Sequence, residues 1–189
     1  GIKWVNDVYF RGKKICGNRR WCLWLGDVPP ARLLKMPECM KRVQAVRDYR
    51  LASTSAPTVR LAERPTRFHV ENFPKGNYIV VPEVSSERRK YIPIGFLTPD
   101  IFCSNLVKLI PDATLYHFGV LTSSVHNAWM RTVAGRLKSD YRYSKDIVYN
   151  NFPWPSPNDA QKAKIEQAAQ MVLDAREQYA DCTMAQLYG

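Results

Sequence analysis

The chain of 189 residues is 46% hydrophobic and 12% aromatic, enough apolar surface to build one large domain, or a domain with an appendage, and to exclude a disordered chain. No apolar run of about 18 residues occurs, so no segment reads as a bilayer span. Lys and Arg number 28 against 17 Asp and Glu, a net +11 that points to an anionic partner, nucleic acid first and anionic membrane second.

The excess is uneven: residues 1–60 carry 13 basic and 4 acidic side chains, whereas residues 156–189 carry 3 and 5. The chain opens on Gly1-Ile2-Lys3-Trp4, without an initiating Met or a signal-peptide pattern, as expected of a fragment or a processed chain. Cys16, Cys22, Cys39, Cys103 and Cys182 are odd in number, irregular in spacing and without a CxxC. They read as small core residues in a reducing cytoplasm. His69, His117 and His126 match no zinc spacing, and no metal is expected.

Along the chain, residues 19–25 form an aromatic run of strand length, ended by Gly26-Asp27. Pro29-Pro30 opens a helical stretch, since Pro is tolerated in a first turn. Over residues 40–51, Met40, Val43, Val46 and Leu51 keep helical spacing, with Lys41, Arg42, Arg47 and Arg50 on the other faces. Strands are expected at 67–71, 78–84, 91–96 and 106–111, with a cationic loop, Ser85-Ser86-Glu87-Arg88-Arg89-Lys90, between the second and third. One helix is expected over 116–133, burying Phe118, Leu121 or Val120, Val125, Trp129 and Val133, with Gly135 as its stop. Residues 136–144 read as extended chain and 147–149 as a short strand. Pro153 and Pro155 end regular structure, and an amphipathic helix follows over 159–179, carrying Ile165, Val172, Leu173 and Tyr179. The fold expected is α+β, with small, mostly antiparallel sheets, packed helices and a C-terminal amphipathic helix. The boundary falls between a domain of residues 1–155 and a segment of residues 156–189.

No catalytic apparatus stands out. The glycines form neither GxGxxG nor GxxxxGK[ST], and GxSxG and HExxH are absent. Asn151-Phe152-Pro153-Trp154 lacks the double proline of the adenine-gripping loop it superficially resembles, and reads as a rigid connector with its aromatics packed inward. Binding is the better class. In an extended chain Lys138, Asp140 and Arg142 share a face. Lys and Arg can donate to guanine O6 and N7, and Asp can accept from cytosine N4. Spacing alone also allows a merely solvated surface there. Arg88, Arg89 and Lys90, and on the basic helix Lys41 and Arg47, suit phosphate contacts or, equally, solvated faces.

Five motifs occur in order: Arg20-Trp-Cys-Leu-Trp-Leu25, Val84-Ser-Ser-Glu-Arg-Arg-Lys-Tyr-Ile-Pro-Ile-Gly-Phe96, Phe118-Gly-Val-Leu-Thr-Ser123, Gly135-Arg-Leu-Lys-Ser-Asp-Tyr-Arg-Tyr-Ser144 and Ile147-Val-Tyr-Asn-Asn-Phe-Pro-Trp-Pro155. The series resembles the target recognition domain of the type IIL (MmeI-like) single-chain adenine DNA methyltransferases of restriction–modification systems. The resemblance spans residues 10–180. It implies a domain that docks in the major groove of double-stranded DNA, with Lys138 and Asp140 at paired reading positions and Arg142 in the same reading region. It also implies a methyltransferase domain in cis, lying before Gly1, that uses S-adenosylmethionine, and a helical spacer beginning near Ser156. Location in a prokaryotic cytoplasm, at the nucleoid, follows from the same resemblance. The rival readings are a protein–protein adaptor working through the C-terminal helix, and an RNA-binding module. The latter would lack both an RRM-type aromatic signature and a GxxG clamp.

Overall fold

A computed structural model describes the backbone of residues 2–5, 8–10, 13–16, 20–26, 28–71, 73–103 and 106–189, and side chains from residue 23 onward within those ranges. In chain order the strands and helices are β1 (Ile2–Val5), β2 (Val8–Phe10), β3 (Lys13–Cys16), β4 (Arg20–Leu23), α1 (Pro30–Leu33), α2 (Pro37–Leu51) and α3 (Ala56–Arg60). Then follow β5 (Tyr78–Pro82), β6 (Val84–Ser85), β7 (Gly95–Leu97), β8 (Ile101–Phe102), β9 (Val107–Pro111), α4 (Leu115–Thr122) and α5 (Ser124–Val133). The series closes with β10 (Gly135–Leu137), β11 (Asp140–Arg142), α6 (Asp159–Gln178) and α7 (Met184–Tyr188). The mixed α+β class expected from the sequence is the class observed, and the chain divides into two compact units.

The first unit comprises residues 1–4 and 21–73. Its small core is Leu25, Leu33 and Val43, against which Leu23, Val28, Met36 and Met40 pack. Trp24 stacks on Phe68 with ring centroids 5.7 Å apart. Helix α2 has Pro37 at its first turn, where the missing N–H is harmless. It buries only Val43, leaving Val46 and Leu51 exposed, so its apolar stripe is narrower than the spacing implies. Arg50 is committed to structure, donating to the carbonyls of Leu61, Arg64 and Arg67. The strand expected at 67–71 is a turn instead: the Glu71 carboxylate accepts from the Phe68 N–H at 2.9 Å and from the Arg67 guanidinium at 3.0 Å, folding the segment on itself.

The second unit comprises residues 5–20 and 74–189. β2 and β3 form an antiparallel hairpin. β5 is the central strand of the sheet β7-β5-β9 and is buried throughout. Alternation sends Ile79 and Val81 into one core with Phe118, Leu121, Met130, Val148, Ala169 and Leu173, and Tyr78 and Val80 into another with Leu97 and Met184. The stretch 78–84 therefore does not end as one strand. Pro82 lacks an N–H, and after Glu83 the chain passes as β6 into a second antiparallel sheet, β10-β11-β6.

The helix expected at 116–133 breaks at Ser123, whose ψ of 157° is extended and whose hydroxyl accepts from the His126 N–H to cap α5. The break shifts the helical phase, so that Val125 is exposed and His126, Asn127 and Met130 are buried in its place. Residues 147–149 are not a strand but part of a π-helical turn, Lys145–Tyr149, capped by the Ser144 hydroxyl and closed by the Asn151 amide on the carbonyls of Asp146 and Ile147. Phe152 packs on His126 at 4.8 Å and on Trp154 at 5.6 Å, so the Asn151-Phe152-Pro153-Trp154 segment is a packed connector.

Asn158 opens α6 with a capping box to Gln161. Gly119 of α4 lies so close to α6 that a Cβ there would stand 2.8 Å from Ile165 Cγ2. Leu173 is buried, Val172 and Tyr179 are exposed, and the buried Arg176 donates to the Ile94 carbonyl and the Tyr188 hydroxyl and lies 5.2 Å from the Phe118 ring.

Candidate nucleic-acid interface

The segment expected from the sequence to read bases is a hairpin. Gly135 pairs with Arg142, Arg136 with Tyr141 and Leu137 with Asp140, leaving Lys138 and Ser139 as the two-residue tip. Such tips need positive φ at their first central position, and Lys138 supplies it at φ 58° without being glycine. This corrects the single extended face expected for Lys138, Asp140 and Arg142. Asp140 and Arg142 do alternate along β11, but Lys138 stands in the turn.

Each residue is held differently. Lys138 is exposed and makes no hydrogen bond or ion pair among the described residues. Asp140 accepts the Glu87 N–H at 3.3 Å, which ties the hairpin to the loop after β6. Arg142 is engaged by Glu83 through Nε at 3.1 Å and a terminal nitrogen at 3.0 Å. The second oxygen of Glu83 takes Lys108 Nζ at 3.0 Å. These donors, Lys108 foremost, hold the Glu83 carboxyl below the usual carboxylate range. The buried Tyr141 anchors the hairpin from below, with the guanidinium groups of Arg136 and Arg131 at 3.8 and 5.1 Å from its ring centre. Arg131 also donates to the Tyr141 hydroxyl.

The loop at 85–90 is braced from behind: the Lys90 carbonyl accepts from the Asn127 amide and the Arg89 carbonyl from Arg131. The Arg89 side chain reaches the Gly189 carbonyl, and Lys90 lies 5.7 Å from the Tyr91 ring. Arg88 is exposed and its guanidinium makes no hydrogen bond or ion pair among the described residues. In the first unit Lys41 pairs with Glu38 at 2.7 Å, while Arg47 projects into solvent. Sequence reasoning missed Glu83, Arg131 and Arg136, because their partners lie 59, 10 and 5 positions away and no local pattern connects them.

Among the described residues no three of His, Cys, Asp and Glu converge as metal ligands, and no helix is long and apolar enough to cross a membrane. Cys39 and Cys182 are free thiols, and the Cys103 Sγ lies 3.6 Å from the Tyr78 hydroxyl.

Residues 3–156 match the family model for the MmeI target recognition domain, and residues 157–189 that for the MmeI C-terminal domain. The chain is 40% identical over 186 residues to DNA methyltransferase A of Bacillus subtilis (strain 168), covering 98% of this chain and 21% of that protein. It superposes with a TM-score of 0.91, at 41% identity, on a solved structure of the type IIL restriction–modification enzyme MmeI in complex with DNA, covering 99% of this chain and 25% of that one. The chain thus spans about a fifth to a quarter of the length of these relatives. With a recognition-domain match over most of its residues, it belongs to the MmeI target recognition domain family.

Proposed function

We propose that this chain recognises a sequence in double-stranded DNA and thereby directs an adenine-N6 methyltransferase, residing in the same protein, to its site. The observation that carries the reading is the hairpin tip: Lys138 is an exposed, unpaired cation held in a sparsely populated backbone conformation beside the acceptor Asp140. Strain of that kind gathers where a side chain must be aimed. Lys138 donates to guanine and Asp140 accepts from the N4 of the paired cytosine, while Arg142 reads nearby. The +11 charge supplies sequence-independent attraction through counterion release, and the base contacts add discrimination. The target adenine flips into the catalytic part, because its amino group is out of reach inside the stack. Residues 1–155 are the recognition domain and 156–189 the beginning of the segment that follows, in a cytoplasmic, nucleoid-associated protein.

S-adenosylmethionine, which methyl transfer implies, does not fit two clefts among the described residues. One is lined by Lys108 and Lys145, another by Arg42, Arg50 and Arg67, and these cations repel a sulfonium. The cofactor belongs to the catalytic part. The test is the full-length protein carrying Lys138→Glu with Asp140→Arg, with modified bases in genomic DNA mapped by sequencing. The expected result is N6-methyladenine in a motif changed at one base pair. An unchanged motif overturns the assignment of the reader, and methylation of another base overturns the adenine assignment.

A further inference from the structure

Among the described residues β9 is an edge strand of the β7-β5-β9 sheet. Pro82, which has no N–H, pairs with Val107, and the Glu83 N–H reaches the Leu106 carbonyl, so ladder bonds to β5 fall at Lys108 and Ile110. Val107, Leu109 and Pro111 therefore turn their main-chain groups outward. A cleft of about 290 Å³ is lined by all five residues of β9. A strand shows only alternate side chains to either face, so a cleft touching five in a row runs along the edge. Its far wall is the π-helical turn, with Lys145, Tyr149 and Asn150.

The chemistry of this cleft is one-sided. Its lining is mostly apolar, with Lys108, Lys145 and Asn150 as its charged and amide residues, and no acidic residue is among those that line it. The Lys108 ammonium is held by Glu83, which leaves Lys145 and Asn150 as the side-chain donors. Of the neighbouring carboxylates, Glu83 is occupied by Lys108 and Arg142, and Asp146 sits beside the lining residues Lys145 and Asn150. Asp146 is exposed and loosely held, 3.7 Å from Lys145 Nζ and 3.4 Å from the Asn150 amide. The cleft also adjoins the reading hairpin, since one Glu83 carboxylate holds both Lys108 at its wall and Arg142 at the hairpin base. At about 3.3 Å per residue the hairpin tip stands roughly 13 Å from Arg142, comparable to the ~12 Å width of the major groove.

We propose that this cleft seats a deoxyribose-phosphate unit of the DNA strand that borders the groove read by the hairpin, with Lys145 and Asn150 donating to the phosphate and the sugar lying on the apolar lining. The inference rests on the DNA-recognition reading above. Asp146 occupies the donors in the free protein and yields them to the incoming phosphate.

The test is fluorescence anisotropy of the full-length protein with duplexes of differing sequence, across 50–200 mM salt. Lys145→Ala should weaken binding to every duplex alike and lower the log–log salt slope by about 0.9, so that the ratio of affinities at the two salts shrinks about 3.5-fold. Asp146→Asn should strengthen binding, again without regard to sequence. In the parent protein DNA should slow hydrogen exchange at the Val107 and Leu109 amides. Both side chains are exposed, so matched melting curves will confirm that the variants fold. Unchanged affinity and slope in both variants overturn the proposal, as does a Lys145 effect confined to one sequence. Protection of the β9 amides by an extended peptide, without any effect of the variants on DNA, would assign the edge to strand addition and overturn it too. A parent protein that binds no duplex refutes the recognition reading itself, whereas a sequence-selective parent with unaffected variants refutes only the cleft.

Discussion

The Tyr143 hydroxyl lies 3.1 Å from Nε2 of His126, and the opposite ring nitrogen lies 2.9 Å from the Leu121 carbonyl. A carbonyl only accepts, so Nδ1 carries the proton and Nε2 accepts from Tyr143. Both side chains are buried, and burial lowers the His126 pKa to about 4 despite the carbonyl bond, which favours the charged form. The residue is thus a neutral strut between α4 and the strand end after β11.

A pH dependence follows. The unfolded chain protonates His126 near 6.5 and the folded one near 4, so the unfolded state binds more protons between those values. Stability is fully present above about 6.5 and declines as pH falls towards 4, by an amount on the order of 3 kcal/mol at most. Denaturant titration at pH 7 and pH 5 will show the decline, and His126→Gln should flatten it while lowering stability at pH 7. An equally steep decline in the variant would place its origin elsewhere.

Replacing Lys138 by Gly separates backbone from side chain. The positive φ costs a lysine about 1–2 kcal/mol and a glycine little. Lys138→Gly should therefore raise unfolding stability by about 0.5–1 kcal/mol while removing discrimination at its base pair. Lys138→Val should lose both. Thermal melting and methylation mapping, run on the same variants, check the pair of outcomes.

Gly119→Ala reverses an ordinary trend. In an open helix that change stabilises by up to about 1 kcal/mol. Here the new methyl meets Ile165 Cγ2 at 2.8 Å and the Ile165 carbonyl at 3.0 Å. The expected loss is about 1–3 kcal/mol, with Tm lower by several degrees. Ile165→Leu should relieve it only in part, because the carbonyl stays.

Arg47→Ala and Arg88→Ala should each weaken binding to all duplexes alike and flatten the salt dependence, as loss of a phosphate contact does. Arg89→Ala should also loosen the end of α7, whose Gly189 carbonyl it holds. Hydrogen exchange in α7 distinguishes that effect. A loss confined to one sequence would sink the phosphate assignment for Arg47 or Arg88.

The elements legible in the sequence are those whose signal is continuous: α1 with its proline start, α2 over residues 40–51, α6 after Asn158, and the apolar strands β5 and β9. Three of the errors share one cause, a polar side chain bonding to nearby backbone. Ser123 divides one expected helix into two, Ser144 turns an expected strand into a π-helical turn, and Glu71 folds another into a bend. The hairpin was hidden because its tip is Lys-Ser, which lacks the Asn-Gly or Gly that announces such turns. Lys138, Asp140 and Arg142 were visible as residue types. The links from Glu83 to Arg142 and from Glu87 to Asp140 join distant segments, and only the folded chain shows them.

The packing of α6 bears on any attempt to move this domain between proteins. The two family matches meet between residues 156 and 157, just ahead of α6. Yet α6 contributes Ala169 and Leu173 to the same core as β5 and α4, and Arg176 spans to the Ile94 carbonyl. A chimera with its seam at Pro155 would inherit a foreign helix against Gly119 and lose the ligand of that carbonyl. Transplants that carry residues 5–20 and 74–189 together keep the whole of that unit, whereas those cut at the proline depend on how closely the recipient's helix imitates Ile165, Ala169 and Arg176.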